Sequence, residues 1–277
     1  MKKFMNFLKR HSKKIVAIVV TASVVGLAGA AIAGYGPDRP TKAYYDGVPG
    51  FDHVTFNSFT GVPNIGDERN FLTGKIAGAD GGFYDPMTKL RSNDEVLVRV
   101  YMHNNADSSL NASGVGVAKN TKVRVELPSA EAVAKNQSAK AFISADNAQP
   151  QEIYDTLDMK TEDNSAFAVN YVPGSAQVTS NEGTQPVSDA IVAGGVNFGD
   201  ERGCFEFVKL VTFKVKIGAP NYTLEKTVRP DGSTSVNDWK ETMKVQPGAT
   251  VEWRLNFKNT GSLQLKDTKI VDNLPAK

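Results

Sequence analysis

The run His103-Asn104-Asn105 has side chains well suited to chemistry and lies at the end of a predicted strand. An imidazole and two amides can bind a metal ion, hold a ligand or form a turn. A second copy of the same pattern, described below, reads KNT (258–260) at the aligned positions. A metal-binding histidine would not be expected to become lysine in a sister copy. We therefore favour turn formation by Asn104, which can hydrogen-bond the backbone two residues on. We expect His103 to be an outward position that is free to vary.

Two acidic clusters are candidate calcium sites, because hard cations prefer several oxygen ligands. The first is Asp67 with Glu68, in a dense polar segment, and the second is Asp80 with Asp85, beside a Gly-Gly turn. Neither cluster has the spacing of an EF-hand loop. The simpler interpretation of the first cluster, which we favour, is a turn with a surface ion pair between a carboxylate and Arg69.

The other reactive residues give no enzyme signature. The three histidines, His11, His53 and His103, do not form a zinc-binding or nucleophilic pattern, and the sequence has no phosphate loop or dinucleotide fingerprint. Cys204 is the only cysteine, so an internal disulfide is excluded, and no histidine lies near it in the sequence. We expect Cys204 to be a small buried side chain and the protein not to be an enzyme.

The N-terminus has the pattern of an export signal. A basic segment precedes the uncharged apolar run Ile15–Ala33, which ends in the small-residue pattern of a cleavage site. The run is also just long enough to span a bilayer, so an uncleaved membrane anchor is the alternative. Both interpretations place residues 34–277 outside the cytoplasm, at the cell surface, because the basic flank stays inside.

The charge of the remaining chain argues against a nucleic-acid partner. Residues 1–33 hold six of the 32 basic residues and none of the 30 acidic ones, which leaves 26 basic against 30 acidic residues. A net charge of about −4 does not provide the basic patch that nucleic-acid binding needs.

Beyond residue 40 the hydrophobic pattern alternates with a period of two, which predicts strands. VLVRVYMHNNA (96–106) aligns with VEWRLNFKNTG (251–261), and TKVRVELP (121–128) aligns with TKIVDNLP (268–275). The chain therefore contains an internal repeat of one unit: a turn, a strand, an Asn-rich connection and a strand that stops at Leu-Pro. Helical signal is confined to 129–141, which fits either one short helix or a loop.

The second copy carries four short motifs at a characteristic spacing: Lys226 in its first strand, the turn Pro247-Gly248, Asn259-Thr260-Gly261 after a strand, and Asp272-Asn273-Leu274-Pro275. These motifs, over about residues 222–277, resemble the bacterial surface repeats known as domain of unknown function eleven. The segment 52–72 similarly resembles N-terminal domains of secreted surface proteins from candidate-phylum bacteria. These resemblances imply an extracellular, adhesin-like module of Ig-like fold without catalytic residues.

Lys226 also raises the question of an isopeptide cross-link. Some exported β-sandwiches join a strand lysine to an asparagine or aspartate, assisted by a buried acid, and this bond replaces disulfides. Asp272 and Asn273 have suitable side chains, and a partner beyond residue 277 is the alternative.

These patterns predict an all-β protein in four segments. Residues 1–33 are the signal peptide or anchor helix, 34–50 a linker, 51–218 an Ig-like Greek-key β-sandwich, and 219–277 a partial Ig-like repeat. Because a complete sandwich needs roughly 100 residues, we expect the second repeat to be truncated. The alternative is a half-domain completed by a strand from another chain.

The expected function is structural. We expect an exported, adhesin-like β-sandwich that displays an interaction surface or acts as a spacer for one. Its expected partner is the cell envelope or the surface of a partner cell. The membrane is a second partner if Ile15–Ala33 is not cleaved. The alternative is a calcium- or carbohydrate-dependent binding module centred on 52–72, and calcium is the only cofactor that either hypothesis includes.

Overall fold

The computed structural model describes residues 34–265 and 267–273. The predicted signal or anchor, residues 1–33, lies outside this range. Within it, no helix is long and apolar enough to cross a membrane. The described chain divides into two compact units, the first ending at Ala219 and the second beginning at Pro220.

The first unit is built almost entirely from strands. They are β1 (Lys42–Ala43), β2 (Phe59–Thr60), β3 (Leu72–Ile76), β4 (Met87–Leu90), β5 (Glu95–Met102), β6 (Ala118–Glu126), β7 (Asn136–Ser144), β8 (Glu152–Thr161), β9 (Ala168–Tyr171), β10 (Gln177–Ser180), β11 (Gly183–Pro186), β12 (Val196–Glu201) and β13 (Lys209–Gly218). Short 3-10 turns occur at Ser108–Leu110, Asp189–Val192 and Phe205–Phe207.

Two sheets share one core. The first has the order β11-β10-β13-β5-β3, with β9 also paired to β13, and the second has the order β12-β6-β7-β8-β4. Alternate side chains of β5 and β13, such as Val98 and Phe213, belong to the same buried cluster as Ile143 of β7 and Leu157 of β8. Each such side chain contributes about 1.5–3 kcal/mol on burial. The prediction of an all-β protein is confirmed, and the two sheets form a β-sandwich.

The sequence of residues 129–141 is compatible with a short helix or a loop. In the structure this segment leads into a strand. β7 begins at Asn136 and pairs with β6 on one side and with β8 on the other. Its alternate residues Gln137, Ala139 and Ala141 are buried, which is the period of a strand. Pairing on both sides and burial of one face outweigh the high helix propensity of the alanines.

Residues 34–50 do not behave as the predicted linker, because they are tied to the sandwich. The backbone of Gly36 pairs with Tyr154 of β8, and β1 pairs in parallel with β2. Arg39 is buried, and its guanidinium donates to the carbonyl oxygens of Phe56 and Asn57 at 3.1 and 2.9 Å. Burial lowers the pKa of Arg39 to about 10.

The second unit contains an antiparallel hairpin of β14 (Tyr222–Pro230) and β15 (Val251–Asn259), with a 3-10 turn at Val236–Asp238. β15 lies within 251–261, the segment whose sequence aligns with that of β5. The predicted counterpart of β6 does not form, because residues 267–273 belong to no strand. In the first unit β6 lies between β7 and β12, and the described part of the second unit offers no equivalent neighbours.

Candidate functional site

The run His103-Asn104-Asn105 lies just beyond β5, and all three side chains are buried, with exposed fractions of 1%, 4% and 1%. The expectation that His103 is an outward, freely variable position is therefore wrong. The segment before β3 folds over this end of β5, so that Phe51 bridges to Ala106 and Phe56 to Asn104. The alternation of apolar and polar residues could not reveal this second layer.

Glu68 is the centre of the buried polar cluster around His103. Its Oε1 accepts hydrogen bonds from the Tyr101 hydroxyl at 3.1 Å and from His103 Nδ1 at 2.8 Å. Its Oε2 accepts from Phe59 N at 3.1 Å and from Asn105 Nδ2 at 2.9 Å. Burial raises the pKa of Tyr101, which keeps its hydroxyl a donor. The roughly four acceptor positions of a carboxylate are all occupied.

Asp67 and Glu68, the first pair of candidate calcium ligands, do not converge. Whereas Glu68 is fully buried, Asp67 lies nearer the surface and is 2.6 Å from Nη2 of Arg69. This is the turn with an ion pair that the sequence favoured.

Asp80 and Asp85 likewise do not build a calcium site. Asp80 is exposed, whereas Asp85 accepts a hydrogen bond from the backbone N of Asp158 at 2.9 Å. Burial raises the pKa of Asp85. Among residues 34–265 and 267–273, no three His, Cys, Asp or Glu side chains are grouped as metal ligands.

The hydrogen bonds around His103 define which ring nitrogen carries the proton. Asn105 Oδ1 accepts from Ser58 N at 2.6 Å, which fixes the amide so that Nδ2 donates to Glu68. His103 Nδ1 lies 2.8 Å from Glu68 Oε1 and 2.9 Å from Asn105 Nδ2. Asn105 Nδ2 already donates to Glu68, and a carboxylate oxygen accepts, so the contact with Glu68 calls for a proton on Nδ1. In that tautomer Nε2 bears a lone pair. Nε2 is buried and has no hydrogen-bond partner in the described chain. Such an atom costs about 1–3 kcal/mol, so its placement needs a reason.

A pocket of about 70 Å³ lies beside His103, and we call it the His103 pocket. It is lined by Val48, Gly50, Phe59, His103, Asn105, Ala106, Asp107, Ser108, Cys204 and Phe205. The Phe205 ring lies 4.2 Å from the His103 ring, centroid to centroid, and stacks on Phe59 at 5.5 Å. With about 30 Å³ for each water in the liquid, the pocket has room for an ion or about two waters.

Cys204 brings a thiol to the wall of the His103 pocket. It is partly exposed rather than fully buried as expected. Its backbone has φ 121° and ψ 155°, a region that is essentially restricted to glycine and costs about 1–3 kcal/mol for other residues. Cys204 N donates to Asn104 O at 3.2 Å, and the preceding Gly203 exchanges two hydrogen bonds with the Asn111 side chain. Cys204 and His103 are far apart in the sequence, so the sequence alone could not predict that they line the same pocket.

The predicted turn role of Asn104 is confirmed. Its Oδ1 accepts from the backbone N of Ala106 at 3.1 Å, and its Nδ2 donates to the carbonyls of Gly116 and Glu201. The aligned Asn259 does the same in the second unit, since its Oδ1 accepts from Gly261 N at 3.0 Å. The shared asparagine is thus explained by one local hydrogen bond that both units make.

The candidate isopeptide residues are partly brought together. Lys226 Nζ lies 2.6 Å from Asp272 Oδ1, and both side chains are about one-fifth exposed, at 23% and 22%. Lys226 Nζ also lies 4.5 Å from the centre of the Trp253 ring. Asn273 is exposed. The contact is an ion pair with a cation–π component, and a covalent bond to Asp272 stays a prediction.

An open groove of about 510 Å³ crosses the second sheet of the first unit, and we call it the sheet groove. It is lined by Asn120, Lys122, Ser144, Ala145, Asp146, Gln151, Glu152 and Asn197. Amides, carboxylates and a lysine offer both donors and acceptors there. It lies outside 52–72, the segment on which the sequence had centred a binding module.

No protein-family model, curated protein or solved structure matches the chain.

Proposed function

We propose that the chain is a non-catalytic structural protein of the cell envelope. An Ig-like, Greek-key β-sandwich would space or display a surface outside the cytoplasm, in the manner of an adhesin stalk. The observation that carries this proposal is that buried polar side chains hydrogen-bond to other parts of the same chain and so act as internal braces. Glu68, which is fully buried, accepts four hydrogen bonds from groups of its own chain.

The braces fasten the segment before β3 to the end of β5. Asn57 Nδ2 donates to Tyr101 O at 2.8 Å, and Asn57 Oδ1 accepts from His103 N at 2.8 Å. Arg39 in turn holds the carbonyl of Asn57. An exported chain with a single cysteine cannot use an internal disulfide, and buried side-chain hydrogen bonds to backbone serve the same purpose of fixing long segments.

Protease accessibility in intact cells tests this proposal. External protease should digest the full chain in intact cells, and replacing Ile15–Ala33 with a polar linker should make the protein resistant until the cells are lysed. If the unaltered chain resists external protease and is digested only after lysis, the envelope location is refuted.

The sheet groove supports a second candidate function, a carbohydrate-binding module. Planar amide and carboxylate side chains such as Asn197 and Asp146 suit pairs of sugar hydroxyls, since each presents two polar atoms in a fixed plane. One oxygen of each already accepts an internal hydrogen bond, from Gly199 N at 2.7 Å and from Asn120 Nδ2 at 2.6 Å, and the other polar atom of each would contact the sugar. Sedimentation with insoluble cell-wall polysaccharide should retain the full chain, and Asn197→Ala should weaken retention. Gln185→Ala, on exposed β11 of the other sheet, is the matched control. Equal retention of both variants and the unaltered chain would exclude the sheet groove.

A further inference from the structure

We propose that Cys204 and His103 form a binding site for one soft metal ion, copper(I), inside the His103 pocket. The ligand atoms are Cys204 Sγ and His103 Nε2. This site is separate from the structural role argued above and does not depend on it.

The histidine half of the site is already arranged as a metal ligand. A metal-bound histidine almost always donates its other ring N–H to a carboxylate, carbonyl or water, which fixes the ring and its tautomer. His103 Nδ1 does this toward Glu68 at 2.8 Å. The lone pair of Nε2 is thereby left available, and this buried nitrogen has no other partner in the described residues. A bound ion would satisfy it.

The thiol half of the site comes from Cys204, which lines the same pocket. Thiolate sulfur is a soft ligand that favours copper(I), zinc and iron–sulfur clusters, whereas calcium and magnesium need oxygen ligands. Asp107, the acidic residue that lines this pocket, already accepts hydrogen bonds with both oxygens. Its Oδ2 accepts from Gly50 N at 2.9 Å, and its Oδ1 accepts from Ser109.

The number of ligands and the charge favour copper(I) over zinc. Structural zinc sites use four protein ligands and catalytic ones use three, and no group of three His, Cys, Asp or Glu occurs in the described chain. On binding, the thiol loses its proton to solvent, so the thiolate and a monovalent ion together carry no net charge. That neutrality matters because burying a net charge is costly. The rings of Phe59 and Phe205 form an apolar wall on the His103 side.

The backbone at Cys204 is consistent with a ligand role. Glycine would adopt φ 121° without strain, yet the chain has a cysteine there, between Gly203 and Phe205. Strained backbone of this kind is concentrated at functional sites.

Competition for copper(I) tests the proposal. The full chain, reduced and kept anaerobic, is titrated into a coloured copper(I)–bicinchoninate complex. We expect the unaltered chain to remove one equivalent of copper(I), and Cys204→Ser to lower the affinity by at least about tenfold. His53→Gln, which removes a partly exposed histidine paired with Asp52, should leave binding unchanged. The proposal is overturned if the unaltered chain takes no copper(I), or if Cys204→Ser binds as tightly.

X-ray absorption of the loaded protein tests the ligand set without altering the Glu68 cluster. One sulfur and one nitrogen neighbour support the assignment. A copper ion bound by sulfur alone would show that His103 is not a ligand. A zinc(II) titration completes the test, because zinc bound in equal amount and retained in the presence of copper(I) would overturn the choice of copper(I).

Discussion

Replacing Glu68 with glutamine would test whether the buried carboxylate braces the first unit. Glutamine has nearly the same shape, but one acceptor oxygen becomes an NH₂ donor. Whichever oxygen is replaced, two of the four donors around Glu68 lose their acceptor and face another donor. A hydrogen bond to a charged group contributes about 1.5–3 kcal/mol, so two lost bonds should lower the free energy of unfolding by about 3–6 kcal/mol.

Asp67→Asn, one residue earlier, is the matched control. It removes the same charge from a partly exposed ion pair with Arg69, and such pairs contribute about 1 kcal/mol or less. Urea unfolding followed by circular dichroism at neutral pH would measure both variants. If Glu68→Gln loses no more stability than Asp67→Asn, the buried cluster does not brace the fold and the structural argument fails.

Three further predictions address other parts of the chain. Cys204→Gly should raise the free energy of unfolding by about 1–2 kcal/mol, because glycine relieves the strained backbone, and a loss of stability on urea unfolding would contradict this. Asp155 is a buried residue of β8 whose Oδ2 accepts a hydrogen bond from Leu72 N at 2.7 Å. Burial raises the pKa of Asp155 to about 7 from an ordinary value of 3.8, so the folded state binds its proton more tightly than the unfolded state. Stability should therefore fall as pH rises from about 4 to about 7, by up to about 4 kcal/mol, and thermal melts of Asp155→Asn should show a flatter profile. An equal pH slope in both proteins would argue against this role. An isopeptide bond between Lys226 and Asp272 would lower the intact mass by one water, and Asp272→Ala should restore it, whereas an unshifted mass in the unaltered chain excludes the bond.

The strands were predictable wherever one face alone is buried. β5, β13 and β15 follow the period of two in the sequence, and the alignment of 96–106 with 251–261 fell on the strand β15. β7 was missed because its buried face carries small residues, Ala139 and Ala141, which do not give a strong strand pattern. The order of the strands depends on pairing between distant segments, which a single sequence does not encode locally.

The site was predictable only where its chemistry is local. Asn104 makes its defining hydrogen bond two residues away, to Ala106 N, and the aligned Asn259 makes the same bond to Gly261 N. Glu68 and His103 are 35 residues apart, and neither has an unusual sequence neighbour. The calcium hypothesis did select Glu68 as a residue of interest, but the partners of Glu68 come from β5, from the residues that follow it and from the segment before β3. The comparison with 258–260 gave the wrong prediction of exposure for His103. The second unit has no described counterpart of the segment that covers His103 in the first unit.

The position of β13 determines how the first unit would respond to tension. β13 is the last strand before the second unit and is the middle strand in the order β11-β10-β13-β5-β3. It pairs with β5 over eight consecutive positions, and with β10 and β9 on its other side. A force applied through Gly218 would therefore act along the strands on the hydrogen bonds that join β13 to β5, β10 and β9. Many of these hydrogen bonds would have to break together. An edge strand would instead peel away one hydrogen bond at a time. This connection makes the first unit resistant to shear along the chain.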